Sequence, residues 1–151
     1  MECRNPNMIR TSPELKRILD DLPAGRTITG FEPSGDSEYV LKGLSRSKLC
    51  GHIPPSAEYN YSFGEEKIRV TITEFPNVND ARSALLSTSS WFFDPLIKSE
   101  FSVSTEAGDA MLCTDRMLTF VRYNMTVQIS ALSIKDHLGF AKELDAKILK
   151  K

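Results

Sequence analysis

Apolar residues recur along this chain with two different periods, and the points where the period changes mark out its elements. Ala57, Tyr59, Tyr61 and Phe63 alternate with Glu58, Asn60 and Ser62. Gly64-Glu65-Glu66 interrupts the run, after which Ile68, Val70 and Ile72 alternate with Lys67, Arg69, Thr71 and Thr73. A period of two sends alternate side chains to opposite faces of a strand, so the two runs predict a hairpin with one buried and one wet face. A second ribbon is expected over Met117–Tyr123 and Met125–Leu132, where Met125, Val127, Ile129 and Ala131 alternate with Thr126, Gln128 and Ser130. Asn124, between its two halves, tolerates the left-handed backbone of a tight turn.

Three stretches carry helical spacing instead. Leu15, Ile18, Leu19 and Leu22 form a stripe behind Thr11 and Ser12, either of which can cap, while Pro13 suits a first turn whose N–H has no partner anyway. Pro76 closes the first ribbon, Asn77 or Asn79 can cap, and Val78, Ala81, Ala84 and Leu85 then predict a helix covering the hairpin that precedes it. Ser133-Ile134-Lys135-Asp136 reads as a capping box, opening a helix whose stripe is Ile134, Leu138, Ala141, Leu144 and Ile148. Residues 26–56 are broken by Pro33, Gly35, Gly43, Gly51, Pro54 and Pro55, and predict one or two short strands around pieces such as Tyr39-Val40-Leu41. Phe101 with Val103, and Ala110 to Cys113, predict two more. Residues 1–10, polar and containing Pro6, predict a flexible tail, leaving 11–151 as a single domain.

The order helix, strands, helix, strands, helix, with short links between strands, requires antiparallel pairing rather than repeated crossovers. The expected class is α+β: an antiparallel β-sheet with three amphipathic helices packed on it. At 151 residues, 40% hydrophobic and 26% charged, the chain has the size and composition of one domain with its own core. Lys plus Arg (19) nearly cancels Asp plus Glu (20), which disfavours nucleic acid as a partner because no long-range field would hold a phosphate backbone. No apolar run approaches the ~20 residues of a membrane span. The opening residues lack the basic and apolar regions of a leader, which fits either a cytosolic protein or a mature domain whose leader has been removed.

Candidate chemistry is sparse. Cys50, His52, Cys113 and His137 supply zinc-ligand atom types, but neither Cys-x-x-Cys nor His-x-x-x-His occurs, and the bland reading is a loop thiol and a surface histidine. A thiol nucleophile beside one of the histidines is the enzyme alternative, and a Cys50–Cys113 disulfide is the better use of the pair in an exported protein. Asp20-Asp21 and Glu65-Glu66 read as solvated acids. No Gly-rich phosphate loop is present, and no metal or other cofactor is expected. Trp91-Phe92-Phe93 stands out, since three consecutive large aromatics cannot all face one way; two would anchor the end of the second helix, and one would form an exposed lip. Arg116 and Arg122 could serve an anion or simply solvate a wet strand face. Asn60-Tyr61-Ser62 and Asn124-Met125-Thr126 match the glycosylation sequon.

From Val70-Thr-Ile-Thr-Glu-Phe-Pro, through the 77–87 helix and Gly108-Asp109-Ala110, to Leu118-Thr-Phe-Val-Arg-Tyr-Asn-Met-Thr-Val-Gln-Ile and Ala141-Lys-Glu-Leu-Asp-Ala-Lys-Ile, the second half resembles a pattern in uncharacterised bacterial secreted or lipid-anchored domains. The element order is also similar to the PsbP/Mog1-type sandwich, by analogy of order alone. The resemblance implies an extracytoplasmic accessory or binding domain, and it carries over no catalytic residue. The expectation is therefore a non-enzymatic module holding a protein partner or a small apolar ligand at Trp91, Phe92, Phe93 and Arg122. Alternatives are an enzyme or metal protein built from Cys50, Cys113, His52 and His137, and a structural domain of a larger assembly.

Overall fold

The computed structural model describes residues 11–47, 54, 56–90 and 100–151. Over these the chain runs α1 (Pro13–Asp20), β1 (Tyr39–Ser47), β2 (Ser56–Phe63), β3 (Glu66–Glu74), α2 (Val78–Thr88), β4 (Ser102–Ser104), β5 (Ala110–Cys113), β6 (Met117–Arg122), β7 (Met125–Ser130), a 3-10 turn (Ile134–His137) and α3 (Leu138–Leu149). The described strands form one sheet in the order β1-β2-β3-β7-β6-β5-β4, antiparallel at every pairing. Two meanders, β1-β2-β3 and β4-β5-β6-β7, therefore meet where Arg69–Glu74 pairs with Met125–Ser130. The α+β class expected from the two periods is the class observed.

Reading across the strands explains where the helices lie. One row runs Tyr59, Val70, Ile129, Leu118, Cys113, apolar across its whole width, and α3 covers this face with Phe140, Ala141, Leu144 and Ile148. The row facing the other way runs Glu58, Thr71, Gln128, Thr119, Leu112, Val103, polar over β2, β3 and β7 and apolar over β5 and β4. Helices α1 and α2 sit over its apolar end, where Leu15, Leu19, Ala81 and Leu85 close on Ala110, Leu112 and Val121. Each fully buried leucine or valine among them contributes roughly 1.5–3 kcal/mol relative to exposure, so the helices settle where the sheet is greasy. The expectation that α2 covers the β2–β3 hairpin is corrected: it packs on β6 and β7, because the hairpin's apolar side chains all point to the α3 face.

Local signals set the element ends, with exceptions. Ser12 accepts from the Leu15 N–H with Pro13 at the first helical position, and Asn77 accepts from Asp80 N–H at 2.8 Å. Ser133 makes no capping hydrogen bond, so a 3-10 turn precedes α3 and the predicted capping box does not form. In the β6–β7 turn the left-handed residue is Tyr123 (φ 56°), not Asn124. Strand β1 is longer than the short strands expected, and its outer edge is guarded. Asp36 N–H donates to the Tyr39 carbonyl at 2.8 Å, the strand bulges between Leu41 and Gly43, and Lys42 and Arg46 are exposed. Each of these discourages pairing with another chain.

Residues 22–36 strap the two faces together. Leu22 packs with the α1–α2 side, and Ile28 and Phe31 enter the core beneath α3. Asn124 pins the crossing: its side-chain oxygen accepts from Ile28 N–H, and its nitrogen donates to the Ile28 and Phe75 carbonyls, all within 2.9 Å. That nitrogen is the atom a glycan would need, and the residue is 1% exposed.

Candidate functional site

Arg122 lies at the end of β6 on the face that α3 covers, in the same alternation as Leu118 and Phe120. It is not on a wet face. Its Nε and Nη2 donate to the two carboxylate oxygens of Asp145 on α3, at 2.7 and 2.9 Å, and Nη1 donates to Asp109 at 2.9 Å. Asp145 also accepts from Gly108 N–H at 2.9 Å. The bond to Asp145 outweighs burial and raises the Arg122 pKa further. Three of its nitrogens are committed to a structural clamp joining the 108–109 turn, β6 and α3, which leaves the guanidinium poorly placed to hold a ligand anion.

His137 is 2% exposed, so the reading of a surface histidine is corrected. It immediately precedes α3 and bridges two strands: Nε2 is 2.9 Å from Glu66 Oε1, and Nδ1 is 2.7 Å from the Tyr39 hydroxyl. The rings of Tyr39 and Phe63 meet it edge to face, and Tyr39 stacks on Phe140 at 4.0 Å between centroids. Glu66 is likewise no free turn acid. Burial pushes its carboxyl up, but the Leu132 N–H and His137 outweigh burial and hold it below the usual carboxylate range. Nothing in the sequence joined Tyr39, Glu66 and His137, which are distant along the chain.

Cys113 on β5 is half-buried, its thiol directed at the Thr114 carbonyl. Burial raises its pKa, the opposite of what activates a nucleophilic thiol. Cys50, His52, Trp91, Phe92 and Phe93 lie outside the described residues, and with them the disulfide, the thiol–histidine pair involving either partner, and the aromatic lip. Among the described residues no group of three or more His, Cys, Asp or Glu is arranged to hold a metal ion, and no helix is long and apolar enough to cross a membrane.

The remaining feature is the polar half of the sheet. Over β2 and β3 the face turned away from α3 presents Glu58, Asn60, Ser62, Lys67, Arg69 and Thr71, continued on β7 by Gln128. Asn60, Lys67 and Arg69 are exposed, and Arg69 pairs across the strands with Glu58 at 3.8 Å. Among the described residues α2 packs chiefly on β6 and β7, and full burial on this face of β2 and β3 is found only at the Ser56–Thr73 end, where the two hydroxyls lie 2.8 Å apart. The result is a panel of hydrogen-bonding groups and mixed charge, bounded by α2 over β7. Comparison with models of known protein families, with curated proteins and with solved structures gives no match.

Proposed function

We propose that this chain is a non-enzymatic accessory or binding domain that docks a protein partner on the open face of β2 and β3. The observation that carries the reading is the asymmetric covering of the sheet by the described residues: α1 and α2 close one face over β5 and β6, whereas on the same face of β2 and β3 Asn60, Lys67 and Arg69 are exposed. A rigid, two-sided sheet holding Lys67, Arg69, Glu58 and Asn60 in fixed register suits recognition of a polar, mixed-charge protein surface better than capture of a small apolar ligand. The reactive side chains that sequence singled out and that are described here support the same reading, since Arg122 and His137 are engaged in links between elements. An extracytoplasmic setting follows from the resemblance of the second half to secreted and lipid-anchored domains.

Site-specific photocrosslinking in the native host tests this. A photoreactive residue at Asn60 is expected to give a discrete adduct that disappears when Lys67→Glu and Arg69→Glu are added. The same probe at Lys142, exposed on α3, is expected to give none. Equal adducts at both positions, or none at Asn60, would remove the basis for the proposal.

A further inference from the structure

Strand β3 sorts its charges between the two sides of the sheet. Glu66 and Glu74 share the alternation of Ile68, Val70 and Ile72, which enter the core beneath α3, whereas Lys67 and Arg69 fall in the opposite alternation, on the open face. Both acids are engaged within the protein: Glu66 with His137 and the Leu132 N–H, and Glu74 as acceptor from the Gly30 N–H at 3.1 Å. The cations are not. Among the described residues Lys67 makes no ion pair or side-chain hydrogen bond, and Arg69, its side chain 58% exposed, has only Glu58 at 3.8 Å. Glu58 is also the single carboxylate that the described residues of β1, β2 and β3 place in the open-face register, with Ser45 and Thr71 beside it. Lys42, exposed at the β1 bulge, has no registered partner on β2 and adds a third cation at that edge. On a chain whose formal net charge is -1, this face therefore carries an excess of positive charge.

We propose, resting on the reading that this face docks a protein, that the docked element is an extended acidic segment whose carboxylates, on alternate residues, meet Lys67 and Arg69. The match is one of spacing as well as sign. Residues two apart on a strand leave the same face about 7 Å from each other, and an extended partner chain repeats at the same interval. Two carboxylates of an acid-x-acid run can then stand over both cations at once. Arg69 offers a planar fork that grips a carboxylate with two N–H groups, and Lys67 a point charge. Glu58 competes for Arg69, so it weakens the docking and sets how much negative charge a partner must bring. A phosphate backbone is the poorer fit, since it binds through many spread contacts and finds here three cations with a carboxylate among them.

Photocrosslinking from Asn60 in the full chain, in the native host, tests the sign of the partner separately from its existence. Mass spectrometry of the adduct is expected to place the crosslink within a few residues of an acid-x-acid run. Lys67→Gln with Arg69→Gln, both at exposed positions, is expected to lower the adduct yield about three- to tenfold, and Glu58→Gln to raise it about two- to fivefold, the range of exposed charge pairs. Equal thermal midpoints of the variants and the wild type show that the yields report docking and not folding. An adduct that is indifferent to the glutamine pair, that falls with Glu58→Gln, that is removed by nuclease, or whose crosslinked segment lacks paired acids would overturn the acidic segment while leaving a docking face. No adduct from Asn60 in the wild type would overturn the docking face, and the segment with it.

Discussion

Two buried polar residues, Asn124 and Thr119, show what decides whether a polar side chain in the core helps or harms. Asn124 makes three hydrogen bonds, and its backbone carbonyl accepts a fourth from Phe75 N–H at 2.8 Å. Asn124→Ala strands the Ile28 N–H and the Ile28 and Phe75 carbonyls in a buried site, where each unmet group costs about 1–3 kcal/mol. The urea midpoint is expected to fall by the equivalent of about 3 kcal/mol or more; a change below about 1 kcal/mol would mean water replaces the side chain. Thr119 is the opposite case. It is 3% exposed and its hydroxyl has no partner among the described residues, on the row where polar Gln128 gives way to Leu112. Thr119→Val keeps the shape, removes the orphaned group and is expected to raise stability by up to about 1 kcal/mol in the same measurement. A loss of stability would show that the hydroxyl has a partner in the folded protein.

At the level of elements, the clamp of Arg122, Asp145 and Asp109 holds α3 to β6, and the turn at Gly108 is part of it. Gly108 has φ +68°, and a Cβ there would stand 2.5 Å from the Val121 carbonyl oxygen. Gly108→Ala is therefore expected to cost more than Gly30→Ala, which shares a positive φ (+75°) but meets nothing within 4 Å. Arg122→Ala leaves two carboxylates beside each other without their cation and is expected to cost about 3–5 kcal/mol in denaturant unfolding. Arg122→Lys should recover only part of this, because an ammonium does not reproduce the two-pronged bond to Asp145; full recovery would show that charge alone matters. How much of this was legible in the sequence depended on range. The β2–β3 alternation, Ser12-Pro13 and Asn77 were readable because periodicity and caps act within a few residues. The position of α2 was not, since Val78, Ala81 and Leu85 reveal an apolar stripe but not which strands it meets. Arg122 looked solvated because Asp145 lies one strand, one turn and most of a helix later. His137 looked exposed because its partners, Tyr39 and Glu66, sit 98 and 71 residues away.

For the molecule as a whole, the tyrosines of the α3-side core tie global stability to alkaline pH. Tyr39, Tyr59 and Tyr61 all belong to that core, and burial raises each phenol above its ordinary value, Tyr61 to about 12. A group whose pKa is raised by folding favours the native state fully below its unfolded value and loses that contribution as pH climbs through the folded one. The unfolded chain ionises first, near pH 10, so stability is expected to decline from there upward, with the part of the tyrosinate absorbance that belongs to these three residues rising together with unfolding rather than before it. Glu66 and Asp36 act on the other limb: their lowered values support folding above the ordinary carboxylate range and lose that support as pH falls through the folded values. Tyr61→Phe separates the alkaline effect from general base damage, since it removes only a hydroxyl that donates to the Ser34 carbonyl at a long 3.3 Å. Its alkaline limb is expected to be shallower than the wild type's and its neutral stability little changed; parallel limbs in the two proteins would mean that Tyr61 ionises freely in the folded state and that its ring, though beneath the sheet, is not sealed from water.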